Sequence, residues 1–264
     1  MTKLFGLDES EIVPLVGEVH VGNPTLAAVE EVFARASWTG IAEPGDRAAG
    51  ELVSTLGAAA ALTALVDHWP VERISATAAS AGSELTPEEV NAALSRWGPR
   101  LKSGVAIVAL RAAVRHSVTL VLPADAAWPA GMDDLGPHAP IALWLRGNVS
   151  TLARTNPAIA LVGARAATGY GEHVTMEASA GLVDRGYTIV SGAAYGIDGM
   201  AHRAALASDG QTIAFLAGGV DRFYPSGHDA LLTRIVEKGA VVSELPCGSP
   251  PTKWRFLQQK VKLR

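Results

Sequence analysis

The clearest signal of secondary structure in this chain is YTIVSGAAYGIDGMAHRAAL, residues 187–206. It begins with an apolar run over 187–190 that is typical of a buried strand. A loop of small residues follows, and the pattern from Ile197 to Ser208 is that of a helix. A short apolar strand that leads through a glycine-bearing loop into a helix predicts one βα unit of a parallel sheet.

The same unit recurs through the C-terminal half of the chain. Apolar runs lie at residues 158–162, 187–190, 212–216 and 240–242, and helical stretches fill the gaps at 171–185, 197–208 and 227–238. This alternation predicts an α/β fold, a Rossmann-like parallel sheet with helices on both faces.

The N-terminal part has a different pattern. Thr86-Pro87-Glu88-Glu89 has the residues of a capped helix start, with Thr86 as the N-cap. Short helical segments of this kind alternate with turn signals before two strand-like pieces, at 118–122 and 141–145. We therefore predict a small all-α domain over residues 1–113 and the Rossmann-like domain over residues 114–264.

Length and composition exclude several classes of protein. The chain has 264 residues, 48% of them hydrophobic, so a sizeable core is expected. No apolar run reaches the length of a membrane span, and acids stand near the N-terminus where a signal peptide needs its apolar core. Cys247 is the only cysteine, which excludes an internal disulfide and a multi-cysteine zinc site. We expect a cytoplasmic protein without a membrane segment or a metal.

The charges are distributed unevenly. Residues 1–156 hold 11 Lys and Arg against 17 Asp and Glu, whereas residues 157–264 hold 11 against 9. Five cations lie in the last twelve residues with no acid among them: Lys253, Arg255, Lys260, Lys262 and Arg264. This segment is either a solvated tail or part of a basic surface that binds a polyanion.

Four loops are expected at the carboxyl edge of the sheet, where open parallel sheets bind their ligands. They read VGARAATGYG (162–171), SGAAYGID (191–198), AGGVDRFYP (217–225) and ELPCGSPPTK (244–253). Glycines next to helix N-termini allow an anion to approach backbone N–H groups. The glycine spacing is not that of a dinucleotide fingerprint, and no P-loop motif occurs, so no cofactor is expected.

Individual residues in these loops allow more than one interpretation. Arg165 fits a phosphate contact or a surface ion pair, and Ser191 fits an anion contact or a helix-capping hydroxyl. Asp198 and His202 are four residues apart on one helix, which favours a structural hydrogen bond over catalysis because no nucleophile accompanies them. Trp254 and Phe256, interleaved with basic residues, could stack on the bases of a single strand.

In this order the loops resemble those of the DprA/Smf family of DNA-processing and recombination-mediator proteins. The resemblance rests on VGAR (162–165), SGAAYGID (191–198), Ala201-His202, Gly218-Gly219-Val220-Asp221 with Tyr224-Pro225, and Ser243-Glu244. DAAWP (125–129) and PIALWLRGN (140–148) extend it upstream, so that it covers about residues 118–257.

The resemblance implies a non-enzymatic protein that binds single-stranded DNA, loads RecA onto it and acts in homologous recombination and natural transformation. It also implies a homodimer and an N-terminal domain of the SAM or helix-hairpin-helix type. The DNA-binding residues that we predict from the loops and the resemblance together are Gly163, Arg165, Gly169, Ser191, Gly192, Tyr195, Gly218, Gly219, Lys253 and Arg255.

This sequence departs from the family pattern at two places. Tyr195 stands where the family often has an arginine, which removes a phosphate partner and supplies an aromatic ring. After Phe256 the family continues into an arginine–asparagine–arginine motif, whereas this chain reads LQQKVKLR over 257–264. The departure leads us to expect a Rossmann-like domain that is incomplete at its C-terminus.

Two alternative functions follow from the same residues. One is a nucleotide hydrolase of the lysine-decarboxylase-like type, which needs a P-G-G-x-G-T-x-x-E loop; Gly218-Gly219-Val220-Asp221 lacks the glycine, threonine and glutamate that follow. The other is a truncated remnant without activity.

Overall fold

The structure is a computed structural model that describes residues 3–20, 25–152 and 157–256. The chain divides into two compact units. The first comprises residues 1–123, 130–143 and 244–246, and the second comprises residues 124–129, 144–243 and 247–264. The first unit therefore extends past residue 113, because residues 118–121 and two later segments also pack with the helices.

The first unit is mainly helical, as the N-terminal pattern predicts. A short antiparallel hairpin, β1 (Lys3–Leu4) and β2 (Leu7–Asp8), precedes seven helices and a strand. These are α1 (Glu9–Val19), α2 (Leu26–Ile41), α3 (Arg47–Leu56), α4 (Ala58–Val66), α5 (Val71–Ser80), α6 (Pro87–Trp97), α7 (Ser103–Arg115) and β3 (Val118–Val121).

Two buried tryptophans form the centre of the helical core. The rings of Trp38 and Trp97 meet edge to face, with centroids 5.1 Å apart. The indole N–H of Trp38 donates to the Ala58 carbonyl, and that of Trp97 donates to the Asp46 carboxylate. Neither indole leaves a buried N–H group unpaired. Burial of the apolar ring area therefore stabilises the unit with little desolvation penalty from the N–H groups.

The predicted start of α6 is confirmed. The Thr86 hydroxyl accepts the backbone N–H of Glu89, the Glu89 carboxylate accepts the N–H of Thr86, and Pro87 is the first helical residue. This reciprocal capping box satisfies two donors that a helix otherwise leaves unpaired.

The second unit holds five sheet strands, in the order β4-β8-β7-β6-β5. The strands are β4 (Leu143–Gly147), β5 (Ala158–Ala160), β6 (Thr188–Ser191), β7 (Thr212–Phe215) and β8 (Ala240–Ser243). The last four are parallel, and β4 pairs with β8 in the antiparallel sense. The predicted α/β fold class, with a mostly parallel sheet flanked by helices, is therefore confirmed. The strand predicted at 141–145 begins two residues later than expected.

Three helices connect the parallel strands: α8 (Gly169–Val183), α9 (Ile197–Ala207) and α10 (Asp229–Lys238). They pack side by side, α8 against α9 and α9 against α10. This order is what right-handed crossovers produce when each one advances by a single strand.

Helix α9 is attached to the sheet by a buried polar contact. The Nδ1 atom of His202 lies 2.7 Å from the Thr212 hydroxyl, which itself donates to the Ile189 carbonyl. Because the Thr212 hydroxyl already donates its proton, His202 donates to it from Nδ1, and the Nε2 atom of His202 has no partner among the described residues. The predicted hydrogen bond between Asp198 and His202 is wrong, because β7 offers the imidazole a closer partner.

Among the described residues, no single helix has the length and hydropathy to cross a membrane, although α3 and α4 meet the criteria as a pair bent by 111°. Both helices belong to the buried core around Trp38 and Trp97.

The capping box yields a stability prediction. Replacing Thr86 with Ala removes the acceptor for the Glu89 N–H, and we expect it to lower the free energy of unfolding by about 1 kcal/mol. Urea denaturation followed by tryptophan fluorescence measures this, since Trp97 ends the same helix. Thr77→Ala is the matched control: that hydroxyl only bonds the Arg73 carbonyl within α5, so its loss should be neutral or slightly stabilising. Equal effects of both variants would contradict the role of the cap.

His202 yields a pH prediction. Burial, together with the nearby His228 and Arg203, lowers the pKa of His202 from 6.5 to about 3. At pH values between these two pKa values, the unfolded chain therefore binds a proton on this imidazole that the folded chain does not bind. Stability should fall as the pH drops below 6.5, by about 1 kcal/mol per pH unit from this group.

Urea denaturation at several pH values between about 7 and 5 tests this slope. His202→Gln should flatten the dependence whatever its effect on absolute stability. His173→Gln, which alters an exposed histidine beside Glu177, should leave the slope unchanged. A slope that survives in His202→Gln would refute the assignment.

Candidate functional site

The parallel strands bring the four glycine-bearing loops to one edge of the sheet, as the sequence predicts. Strands β5 to β8 run in the same direction, so the segments that leave their carboxyl ends share that edge. We describe these segments as loop one (161–168), loop two (192–196), loop three (216–225) and loop four (247–252).

Loops one and two are held together by a buried carboxylate. Asp198 is only 2% exposed; one of its oxygens accepts the N–H of Gly163 at 3.3 Å and the other accepts the N–H of Ala194 at 3.4 Å. Loop one also packs on the first residue of α9, because a Cβ on Gly163 would lie 2.6 Å from the Ile197 side chain. The N–H of Gly163 is therefore used within the protein.

Gly196 explains why loop two can lie so close to loop one. Its φ is +75°, a left-handed conformation that favours glycine, and a Cβ there would overlap the carbonyl oxygens of Ala164 and Arg165. Any other residue at this position would separate the two loops.

Ser191 and Gly192 are both buried behind this junction. The Ser191 hydroxyl donates to the Leu161 carbonyl at 2.6 Å, so it connects the end of β6 to loop one. This geometry favours a structural role for Ser191, although not the helix cap that the sequence suggested as the alternative to an anion contact.

Gly218 and Gly219 play a similar part between loops three and four. The N–H of Gly219 donates to the Ser249 carbonyl, and a Cβ on Gly218 would lie 3.0 Å from backbone atoms of Ser249 and Pro251. The carboxylate of Asp221 accepts the N–H of Gly248 at 2.8 Å. Both glycines are buried, so they set how closely loops three and four pack and do not themselves form the exposed surface of the edge.

The exposed part of the site is a cation with aromatic neighbours. The Arg165 guanidinium carbon lies 4.9 Å from the centre of the Phe256 ring, and the Phe256 ring lies 5.6 Å from that of Tyr224. Arg165 is exposed, and Tyr224 is 49% exposed. We call Arg165, Phe256 and Tyr224 the rim cluster. It offers a positive charge and π faces at one place.

The segment after loop four forms a helical turn over residues 253–256. Lys253 is exposed, and Trp254 is 62% exposed. Arg255 is half-buried, and its guanidinium donates back to the Pro250 carbonyl at 2.9 Å. The other cations of the predicted basic tail, Lys260, Lys262 and Arg264, lie outside the described residues.

Tyr195 and Gly169 complete the predicted set. Tyr195 is 48% exposed, and its ring packs edge to face on that of His228 at 4.8 Å. Gly169 is the exposed first residue of α8, whose N-cap Thr168 accepts the N–H of Gly171. The ten predicted residues thus divide into three groups: Arg165, Gly169, Tyr195 and Lys253 are exposed, Gly163 and Arg255 are half-buried, and Ser191, Gly192, Gly218 and Gly219 are buried.

Sequence reasoning missed the rim cluster as a unit. Phe256 was noted for its aromatic ring and Tyr224-Pro225 as part of the family resemblance, but neither was placed among the predicted DNA-binding residues. The available signal was an aromatic residue in loop three, yet contacts between positions so far apart in sequence cannot be read from spacing.

The described residues include no group of three or more His, Cys, Asp or Glu side chains that could hold a metal ion. Burial raises the pKa of the Cys247 thiol to about 12, with the nearby Asp221 acting in the same direction. The thiol is therefore protonated at neutral pH and is a poor nucleophile.

Comparison with known proteins identifies the relatives of this chain. The family model described as DNA recombination-mediator protein A matches residues 119–260. A relative from Mycobacterium tuberculosis that carries the DprA name is 46% identical over 154 residues, which are 54% of this chain and 40% of that protein. The DNA processing protein DprA of Bacillus subtilis is 35% identical over 44% of this chain and 39% of its own length. Protein Smf of Escherichia coli is 41% identical over 44% of this chain and 31% of its own.

The chain therefore spans about two fifths or less of the length of these relatives. The crystal structure of DprA from Streptococcus pneumoniae has the same fold: it superposes with a TM-score of 0.62 at 22% identity, over 89% of this chain and 74% of that one. Because the family model covers more than half of the sequence, this chain belongs to the DNA recombination-mediator protein A family.

Proposed function

We propose that this protein binds single-stranded DNA at the carboxyl edge of its parallel sheet and makes or breaks no covalent bond there. The observation that carries the proposal is the rim cluster, an exposed guanidinium packed on one aromatic ring with a second ring beside it. Single-stranded nucleic acid is bound by this combination, since cations attract phosphates and aromatic faces stack on bases of any sequence.

The proposal divides the ten predicted residues between two tasks. Arg165 and Lys253 are exposed cations that would contact phosphates, and Tyr195 supplies another exposed ring. Gly169 would leave room for the strand at the start of α8. Arg255 would contribute charge from a more buried position, held by the Pro250 carbonyl.

The remaining residues of the set act on shape. Gly163 and Ser191 join loop one to the start of α9 and to the end of β6, and Gly192 is buried next to Ser191. Gly218 and Gly219 hold loop three against loop four. Their substitution would alter DNA binding by moving Arg165 and the rings.

We extend the proposal to the role of a recombination mediator that hands the bound strand to RecA, in homologous recombination and natural transformation. Family membership and the DNA processing proteins among the relatives support it. A homodimer belongs to the same proposal. It would give one assembly two such edges and so hold a longer stretch of DNA.

The central test is Arg165→Ala. We expect affinity for an oligo-dT strand at low salt to fall about tenfold, with a similar loss for other sequences, because a phosphate contact carries no base information. The slope of log affinity against log salt should become shallower by about 0.7. Fluorescence anisotropy with labelled oligonucleotides measures both quantities.

Arg185→Ala is the matched control, since it removes the same charge at the opposite end of α8, where Arg185 bonds the Gly181 carbonyl. It should leave affinity within about twofold of the unaltered chain. An unchanged dissociation constant for Arg165→Ala, or equal losses in both variants, would remove Arg165 from the site.

The aromatic contribution is tested by Phe256→Leu, which keeps an apolar side chain but loses the ring. We expect it to weaken binding by about 1 kcal/mol or more, and its effect should not add to that of Arg165→Ala, because the two side chains are in contact. Anisotropy titrations of the two single variants and the double variant measure the coupling. Strictly additive losses would show that the rim cluster does not act as a unit.

The hydrolase alternative predicts release of a free base from nucleoside monophosphates. Chromatography of the reaction mixture detects that product, and its appearance would overturn the proposal of binding without chemistry. DNA binding by the unaltered chain would exclude the second alternative, that the chain is a truncated remnant without activity.

A further inference from the structure

The carboxyl edge of the sheet carries a further exposed aromatic ring, which rests on a buried support. Tyr195 is 48% exposed, and its ring meets that of His228 edge to face, with centroids 4.8 Å apart. His228 is only 3% exposed, and its Nδ1 atom donates to the Ala193 carbonyl at 3.0 Å. A Cβ on Gly227 would lie 2.6 Å from the Tyr195 hydroxyl. The tyrosine is therefore held at two places, while half of it remains open to solvent.

Arg203 on helix α9 reaches the same place. Side chains of a helix point towards its N-terminus, so the side chain of residue 203 lies over Gly199, one turn earlier. A Cβ on Gly199 would lie 3.1 Å from both Arg203 Nη1 and His228 Nε2. Because Gly199 has no side chain, the guanidinium and the imidazole are close neighbours in the first turn of α9. We call Tyr195, Arg203 and His228 the α9 cluster.

The charge of Arg203 is available to a ligand. The residue is exposed, and its Nη1 atom donates to the Met200 sulfur at 3.9 Å, a weak acceptor without charge. Within the part of the chain that the structure describes, no carboxylate forms an ion pair with this guanidinium. Asp198, on the same helix, is buried and accepts N–H groups of loops one and two. The α9 cluster thus offers a positive charge beside an exposed ring.

The α9 cluster adjoins the rim cluster. Gly196 directly follows Tyr195, and a Cβ on Gly196 would lie 2.4 Å from the carbonyl oxygen of Arg165. The backbone segments that carry Tyr195 and Arg165 are therefore in contact, and both side chains are exposed at the same edge. A single strand that lies on the rim cluster would meet the α9 cluster next.

We propose that the α9 cluster is a second nucleotide subsite of this edge, in which Arg203 contacts a phosphate and Tyr195 stacks on an unpaired base. The inference rests on the proposed function. It adds Arg203, which lies inside a helix and which neither the loops nor the family resemblance indicated. Stacking on a ring needs a base whose face is free, whereas a cation attracts the phosphates of any strand. The subsite therefore favours single strands over duplex DNA.

Arg203 is tested by replacement with Ala, and with Lys as the conservative variant. We expect Arg203→Ala to weaken binding of oligo-dT at low salt about fivefold, and to make the slope of log affinity against log salt shallower by about 0.7. Arg203→Lys keeps the charge and should keep the slope. Arg185→Ala, at the opposite end of α8, is the matched control and should stay within about twofold of the unaltered chain. Fluorescence anisotropy measures both quantities.

Tyr195 is tested with an oligo-dT strand that carries one 2-aminopurine base, whose fluorescence falls when it stacks on a ring. Tyr195→Leu should weaken binding of the single strand about fivefold or more, reduce this quenching, and leave affinity for duplex DNA within about twofold. Tyr195→Phe keeps the ring and should preserve affinity and quenching. Circular dichroism of each variant checks that the fold is intact.

The outcomes separate the subsite from the proposed function. Affinity and salt slope that Arg203→Ala leaves unchanged, while Arg165→Ala weakens binding, would refute the subsite and leave the DNA-binding edge in place. Equal losses in Arg203→Ala and Arg185→Ala would also refute it, because they would reflect net charge alone. Equal losses for single-stranded and duplex DNA in Tyr195→Leu would refute stacking. Failure of the unaltered chain to bind oligo-dT would overturn the proposed function itself.

Discussion

The carboxylate of Asp198 is the constraint on which the candidate DNA-binding edge depends. A buried carboxylate is costly unless it is hydrogen-bonded, and this one accepts N–H groups from loop one and loop two at once. These two hydrogen bonds fix the distance between the ends of two strands. Gly163 and Gly196 leave the space that this close approach needs. The position of Arg165 at the surface follows, because its own backbone is packed on Gly196.

This arrangement alters where a phosphate can be held. The sequence suggested a nest of main-chain amides along the edge, yet the N–H groups of Gly163, Ala194 and Gly219 are all donated to other protein atoms. In the proposed function, attraction for DNA therefore rests more on side chains than on main-chain amides. An arginine on an aromatic ring suits this role, since the ring holds the planar guanidinium in place without neutralising its charge.

The architecture was predictable from the sequence because its signals are local. Each of these signals depends on neighbours within a few positions: the βα pattern around 187–206, the capping box that Thr86 forms with Glu89, and the apolar strands. The assignments that failed or were missed depend on distant partners. His202 bonds Thr212 on strand β7 and not Asp198 on its own helix. Phe256 contacts Arg165, a residue of another loop at the edge of the sheet. Such contacts are set by tertiary packing, which periodicity does not encode.

Cys247 gives this chain a built-in reporter. It is the only cysteine, it begins loop four, and it is 6% exposed. A thiol reagent can reach it only when loop four lifts away from the protein, so the rate of alkylation in native buffer reports the frequency of that opening. Comparing this rate with and without DNA would follow the dynamics of the sheet edge at a single sulfur atom, with no engineered label.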